Sequence, residues 1–197
     1  MWGQLATRPD LCYPKALLHV LGYIKGTTDY GVVYSRDEPL VPVGFIDADY
    51  GGCWDTMRST SGYVFAMAGG PVCWSSKRQA TVALSTVEAE YILLTRAAQQ
   101  MMWMMSWMEK VRLPQPRPAL LYGDNQGAVA LTSNTRSHHK VKHINIREHF
   151  IRELVQAGDL KVEFIRGDLN PADMFTKLLA QDAHHRYLEA LSIMAMD

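Results

Sequence analysis

The apolar and polar positions of the chain predict three strands, a helix, a strand, two helices, a strand and a final helix. The first main strand runs from about Val41 to Ala48; one acidic residue, Asp47, lies on it and a second, Asp49, directly follows it. Side chains of a strand alternate between its two faces, so both carboxylates share a face with apolar neighbours. A carboxylate on such a face is costly unless it is paired, hydrogen-bonded or bound to a metal.

Two more strands and a long helix are predicted next. The strands at 61–67 and 72–76 are joined by a Gly-Gly-Pro turn at 69–71, and paired glycines supply the positive φ of tight hairpins. The sequence Ser-Thr-Val-Glu at 85–88 fits a capping box, the start signal of a helix. Apolar residues then recur with the spacing of one buried helix face until the prolines that begin at Pro114.

The second half of the chain alternates strands and helices. Ala119–Asp124 is a short apolar strand that ends in a carboxylate, and such continuous strands are usually central and parallel. The remaining predicted elements are a helix at 125–132, a helix at 144–157, a strand at 160–165 and a helix opened by Asn170-Pro171. This order predicts an α/β fold in which helices cover a mixed sheet.

The composition suits one domain of moderate size in a reducing compartment. The chain has 197 residues, 48% of them hydrophobic, and a formal net charge of zero, so any attraction to nucleic acid must be local. Its three cysteines form no CxxC pair, which disfavours disulfides and a thiolate zinc site. The Met- and Trp-rich run at 101–108 is too short to span a membrane and is predicted to lie in the core or on a docking face.

Four acidic positions are predicted to meet. They are Asp47 on the first main strand, Glu88 or Glu90 in the long helix, Asp124 at the next strand end, and Asp173 in the first turn of the last helix. Ligands of α/β sheets collect at strand ends and helix starts, and oxygen ligands suit hard cations such as Mg²⁺. Most of these acids also have a structural explanation. An acid in the first turn of a helix, such as Glu90 or Asp173, stabilises the helix dipole. Glu88 suits the capping box, and Asp124 could form a turn at its strand end.

Seven segments, in order over residues 43–179, resemble the ribonuclease H domain at the C-terminal end of the polyprotein of copia-type LTR retrotransposons. They are Gly44–Asp49, Arg58–Phe65, Trp74–Gln79, Thr81–Tyr91, Asp124–Gln126, Lys142–Glu153 and Asn170–Lys177. The upstream stretch Leu21–Gly31 is similar to the connection that follows the polymerase in that family. Together these segments are highly specific, although each alone would be weak.

The resemblance implies a ribonuclease H-like fold with a five-stranded mixed sheet flanked by helices. It implies an endoribonuclease that hydrolyses the RNA strand of RNA–DNA hybrids by a two-metal-ion mechanism, with Mg²⁺ or alternatively Mn²⁺. The family's catalytic and metal-binding acids correspond to Asp47, Glu90, Asp124 and Asp173. Glu90 is preferred to Glu88 because an apolar helix follows it, as in related enzymes, and Gln126 corresponds to a residue expected to touch the minor groove of the hybrid.

The resemblance also implies a domain division and partners. Residues 1–40 would be a connection-like segment after a polymerase, residues 41–180 the ribonuclease H domain, and residues 181–197 a C-terminal tail. The expected partners are an RNA–DNA hybrid and the polymerase domain of a reverse transcriptase in a longer polyprotein, with no membrane. The expected location is intracellular, in cytoplasmic virus-like particles, with the nucleus as a further site.

A locally basic, histidine-rich stretch precedes the helix at 144–157. Lys140 and Lys142 are predicted to contact phosphates. His139 and His143 have a spacing that would suit zinc on a helix, but they precede the predicted helix start and have no cysteine nearby, which disfavours zinc. Many related enzymes carry a histidine shortly before the last aspartate; this chain has none there, so that role is unfilled or taken by Arg166.

Two other functions fit parts of the sequence. A non-catalytic hybrid-binding or assembly domain of a decayed element would keep the fold, but the presence of all four acids argues against decay. Polymerase activity would need a Tyr-x-Asp-Asp sequence, and the chain contains none.

Overall fold

The computed structural model describes residues 9–133 and 142–196, which form seven strands, five α-helices and two 3₁₀ helices. The strands are β1 (Tyr30–Val32), β2 (Val43–Asp49), β3 (Thr60–Met67), β4 (Gly70–Arg78), β5 (Ala119–Gly123), β6 (Leu160–Phe164) and β7 (Ile193–Ala195). The α-helices are α1 (Pro9–Gly26), α2 (Thr86–Lys110), α3 (Gln126–Ser133), α4 (Lys142–Gln156) and α5 (Gln181–Ala190). The 3₁₀ helices are Gly167–Leu169 and Pro171–Phe175.

Five strands form one mixed sheet in the order β4-β3-β2-β5-β6. β2 pairs antiparallel with β3 and parallel with β5, and β5 pairs parallel with β6. The predicted five-stranded mixed sheet with helices is therefore confirmed. Because β2 lies in the middle of the sheet and β5 runs parallel beside it, both strands carry the chain toward the same sheet edge.

The long helix α2 supplies much of the core. Its side chains pack with those of the sheet and of α4, and Phe65, Leu93, Met101, Leu121 and Ile151 are fully buried. Within the run 101–108, four methionines are buried while both tryptophans are exposed. The prediction that this run lies in the core is thus confirmed for four of its methionines, and the docking face stays a prediction. Among the described residues, no helix combines the length and apolarity that crossing a membrane requires.

Gly62 allows the 3₁₀ helix Pro171–Phe175 to lie directly against the sheet. A Cβ at this position would lie 2.6 Å from Cγ2 of Thr176 and 2.9 Å from Cβ of Phe175. Gly62 is paired with Asp47 in the β2–β3 ladder, so the close approach occurs beside that carboxylate. Only a residue without a side chain lets the backbone of the last acidic segment come this near.

The predicted last helix is a 3₁₀ helix of five residues rather than an α-helix. Asn170 caps it, and the N–H of Thr176 donates to the carbonyl of Asp173, an i to i+3 bond. Asn170 also donates from Nδ2 to the carbonyl of Ile46 at 2.8 Å. This hydrogen bond ties the start of the short helix to β2.

The two ends of the described chain form a second, small sheet. β7 pairs antiparallel with β1, with Tyr30 opposite Ala195. The segment 181–197, predicted as a tail, thus contains the helix α5 and a paired strand. The division at residues 40 and 180 stays a prediction, but both flanking segments pack onto one another.

Candidate metal centre

Asp47 lies near the end of the central strand β2, and it is 1% exposed. The hydroxyl of Thr176 donates to its Oδ2, and the ammonium Nζ of Lys177 lies 3.1 Å from its Oδ1. A buried carboxylate needs such partners, because burial without them costs several kcal/mol. Asp47 therefore sits in a polar site that residues far along the chain complete.

Asp124 and Asp173 join Asp47 at the same sheet edge. Asp124 directly follows β5, which runs parallel to β2, and Asp173 lies in the 3₁₀ helix that Asn170 holds against β2. One carboxylate oxygen from each of the three aspartates lies within 4.8 Å of the other two. The structure thus brings together three of the four acids predicted from the sequence.

Glu90 lies next to this cluster and is 5% exposed. Its Oε1 accepts a hydrogen bond from the N–H of Ala48 at 3.1 Å. Burial, and then the charge of Asp47, raise the pKa of the Glu90 carboxyl to about 8. The neighbouring charge of Asp124 contributes to this rise, so the Glu90 carboxyl lies in the field of the same site.

Glu88 points to the start of its own helix instead. Its N–H donates to Oγ of Ser85 at 3.1 Å, and its Oε2 accepts from the N–H of Leu84 at 2.7 Å. The capping interaction is thus present, although the Glu88 carboxylate binds the N–H of Leu84, the residue before the cap, rather than that of Ser85 itself. The geometry favours Glu90 over Glu88 as the acid that lies beside the three aspartates.

Burial and mutual repulsion also disfavour the charged forms of the other acids. Burial, and then the charge of Asp47, raise the pKa values of Asp124 and Asp49. Burial also raises the pKa of Asp173, while its hydrogen bond from Lys177 acts in the opposite direction. Several carboxylates therefore share a site that would be more stable with additional positive charge.

A divalent metal fits this arrangement. The donors are carboxylate oxygens only, which is the preference of Mg²⁺ and Mn²⁺ over softer metals. Asp47, Asp124 and Asp173 would hold the metal, with Glu90 beside them. Burial, and then the charge of Asp47, raise the pKa of Glu90, so added positive charge at the site would favour its ionised form.

The sequence did not assign a role to Thr176 and Lys177, although both belong to the last family-like segment. Lys177 bridges two acids, with Nζ 3.1 Å from Oδ1 of Asp47 and 2.8 Å from Oδ1 of Asp173. The spacing of four residues between Asp173 and Lys177 is a signal that could have suggested their pairing. Nothing in the sequence indicates the contact with Asp47.

An open groove of about 760 Å³ adjoins the cluster. Its lining includes Asp49, Trp54, Arg78, Lys177 and Leu178. Trp54 and Leu178 are exposed, and Asp49 lies at the groove rather than among the three clustered aspartates. Asp49 is thus peripheral to the three clustered aspartates.

The remaining predicted contacts lie in different places. Gln126 is the exposed first residue of α3, two positions after Asp124. Lys140 lies outside the described residues, as does His139, and α4 begins at Lys142, whose side chain is not described. Arg166 pairs with both carboxylate oxygens of Asp168, at 3.0 and 2.9 Å. The contacts of Gln126, Lys140 and Lys142 with nucleic acid stay predictions, and so does the role of Arg166 in place of a histidine.

The sequence is similar to long polyproteins of transposable elements. It is 35% identical to the retrovirus-related Pol polyprotein from transposon TNT 1-94 of Nicotiana tabacum, over 92% of this chain and 15% of the relative. It is 32% identical to the retrovirus-related Pol polyprotein from transposon RE1 of Arabidopsis thaliana, over 95% of this chain and 14% of the relative. The chain thus spans 14–15% of the length of these relatives. No protein-family model matches it.

The fold is similar to that of LC11-RNase H1, isolated from compost by a metagenomic approach. That structure has a TM-score of 0.53 and 16% identity, over 70% of this chain and 93% of that chain. A second structure, LC11-RNase H1 in complex with an RNA/DNA hybrid, has a TM-score of 0.51 and 16% identity, over 68% and 93%. At this identity the similarity concerns the fold alone.

Proposed function

The chain belongs to the retrovirus-related Pol polyproteins of transposons as a ribonuclease H domain, and we propose that it is an endoribonuclease hydrolysing the RNA strand of RNA–DNA hybrids. The family resemblance and the fold predicted from the sequence are thereby confirmed. The observation that carries the proposed activity is the convergence of Asp47, Asp124 and Asp173, each of which has a carboxylate oxygen within 4.8 Å of the other two. Asp47 and Asp124 lie toward the carboxyl ends of two parallel strands, and Asp173 lies in a 3₁₀ helix.

The proposed chemistry is metal-dependent hydrolysis without a protein nucleophile. Two Mg²⁺ ions, when bound, would activate a water molecule and stabilise the leaving 3′ oxygen of the phosphodiester. The residues of the chain contribute rigidity, because Asp47 lies on the central strand and is held by Thr176. Glu90 is fixed by the N–H of Ala48, so its carboxylate stays directed at the site.

The proposed substrate follows from the family and from the surfaces around the cluster. LC11-RNase H1 forms a complex with an RNA/DNA hybrid, and we transfer this ligand class to the present chain. Recognition would depend on groove shape and on 2′-hydroxyls, which only the RNA strand offers. The proposed contacts with the hybrid are Gln126, which lies two positions after Asp124, and the two lysines Lys140 and Lys142. The polymerase domain of the same polyprotein and an intracellular location remain parts of this proposal.

A labelled hybrid tests the activity directly. Purified protein is incubated with a hybrid labelled on the RNA strand, with Mg²⁺, with Mn²⁺, or with chelator, and duplex DNA and single-stranded RNA serve as other substrates. We expect cleavage of the RNA strand of the hybrid only, and only with metal. Asp47→Asn should abolish it, while Asp182→Asn, an exposed change in α5, should leave it intact.

The outcomes separate the candidate functions. Cleavage by Asp47→Asn at the wild-type rate would contradict the assignment of that residue. Binding of the hybrid by the wild type, with no cleavage under either metal, would favour the non-catalytic alternative.

A further inference from the structure

The ammonium group of Lys177 lies between two of the proposed metal ligands. Its Nζ is 3.1 Å from Oδ1 of Asp47 and 2.8 Å from Oδ1 of Asp173. These two oxygens belong to carboxylates that also approach Asp124. A cation of the chain itself therefore contacts two of the three carboxylates that would coordinate a divalent cation.

This contact differs from an ordinary surface ion pair. The Asp47 side chain is 2% exposed, so loss of its cationic partner would leave a buried charge poorly compensated. The Lys177 side chain, in contrast, is 39% exposed and lines the open groove beside the cluster. The lysine can thus leave the acids by rotating into the groove, whereas Asp47 is fixed on the central strand.

A lysine ammonium and a divalent ion would compete for these oxygens. Mg²⁺ binds carboxylate oxygens at about 2.0–2.1 Å, whereas the ammonium here contacts the same atoms at 2.8 and 3.1 Å. Both cations on one pair of oxygens would lie within a few ångström of each other and repel strongly. Binding of one cation therefore weakens binding of the other.

We propose that Lys177 is an internal counter-cation that stabilises the acid cluster without metal and is displaced into the groove when a divalent metal binds. This inference rests on the metal site of the proposed function. Lys177 is then a positioning residue rather than a catalytic one, because it holds Asp47 and Asp173 in place when no metal is bound. It also weakens metal binding, since part of the binding free energy of the metal is used to displace the ammonium group.

Calorimetric titration of the metal-free protein with MgCl₂ tests the exchange. In Lys177→Met, we expect the dissociation constant for Mg²⁺ to fall about tenfold or more, because a competing unit charge a few ångström away is removed. The same variant should unfold at a lower temperature than wild type in chelator and gain more from added Mg²⁺. Lys161→Met is the matched control, since Lys161 is exposed and pairs with Glu163 on β6.

A measurement on the wild type covers the case in which Lys177→Met does not fold. The side-chain ammonium of Lys177 is observed by ¹⁵N NMR, with Lys177→Arg to assign its signal. We expect this signal to move on addition of Mg²⁺ while that of Lys161 stays in place. An unmoved Lys177 signal at saturating Mg²⁺ would overturn the exchange.

The outcomes also distinguish the two proposals. Equal Mg²⁺ dissociation constants for wild type and Lys177→Met would overturn the exchange and leave the metal site intact. Absence of Mg²⁺ and Mn²⁺ binding in both proteins would overturn the metal site and, with it, the exchange. Tighter binding by Lys177→Met together with a moving wild-type signal would support both.

Discussion

Replacing Glu90 by glutamine is expected to remove most of the pH dependence of the stability of the metal-free protein. Burial and the nearby charge of Asp47 raise the pKa of this carboxyl from 4.5 to about 8 in the folded state. Between these values the folded protein keeps the proton while the unfolded chain has lost it. Stability is therefore fully present below about pH 4.5 and falls as the pH rises toward 8.

The magnitude follows from the two pKa values. Each tenfold difference in proton affinity is worth about 1.4 kcal/mol, so the difference between 4.5 and about 8 corresponds to at most about 5 kcal/mol. Glutamine resembles the protonated glutamic acid and can still accept the hydrogen bond from the N–H of Ala48. Glu90→Gln should thus match wild type near pH 4.5 and exceed its stability by several kcal/mol near pH 8.

The assay is urea unfolding in chelator at a series of pH values. Glu88→Gln is the matched control, because it makes the same chemical change two residues away, where the carboxylate accepts from Leu84. A smaller slope should remain in Glu90→Gln, since the pKa values of Asp124 and Asp173 are also raised. Saturating Mg²⁺ should reduce the wild-type slope, because added positive charge favours the ionised acids.

Two results would refute this reasoning. Parallel pH profiles of wild type and Glu90→Gln would show that Glu90 is not the buried, protonated acid of the site. A loss of pH dependence in Glu88→Gln, with Glu90→Gln unchanged, would assign the role to Glu88 instead.

Three further substitutions test the packing that builds the site, each by urea unfolding. Gly62→Ala should cost about 1–3 kcal/mol, because the added Cβ would lie 2.6 Å from Cγ2 of Thr176; unchanged stability would mean that the 3₁₀ helix can move away freely. Asn170→Ala should cost about 1–3 kcal/mol, because the carbonyl of Ile46 loses its buried partner; a neutral effect would show that water replaces it. Tyr187→Phe should cost about 1 kcal/mol of stability, because it removes a 2.9 Å hydrogen bond to the carbonyl of Gly167. Unchanged stability would show that this hydrogen bond does not help to hold α5 against the site.

Local signals in the sequence were sufficient for most of the elements. The capping box and the strands of the hairpin each depend on interactions within a few residues, and both appear in the structure. The hairpin turn lies one residue earlier than predicted: Ala68 and Gly69 have the positive φ, and Gly70 already begins β4. The last helix was the exception, because a capped 3₁₀ helix and the start of an α-helix share the same first-turn signal. The segment after residue 180 lacked a signal because its strand pairs only with β1, at the other end of the chain.

Local patterns along the chain identify which residues could form the site, whereas folding brings particular ones of them together. The strand-end and helix-start positions of Asp47, Asp124 and Asp173 follow from local patterns and from family-like motifs. The orientation of Glu90 toward Ala48 depends on how α2 packs on β2, across 42 residues. The contact of Lys177 with Asp47 spans 130 residues. Such contacts leave no periodic trace along the chain, because packing between distant elements creates them.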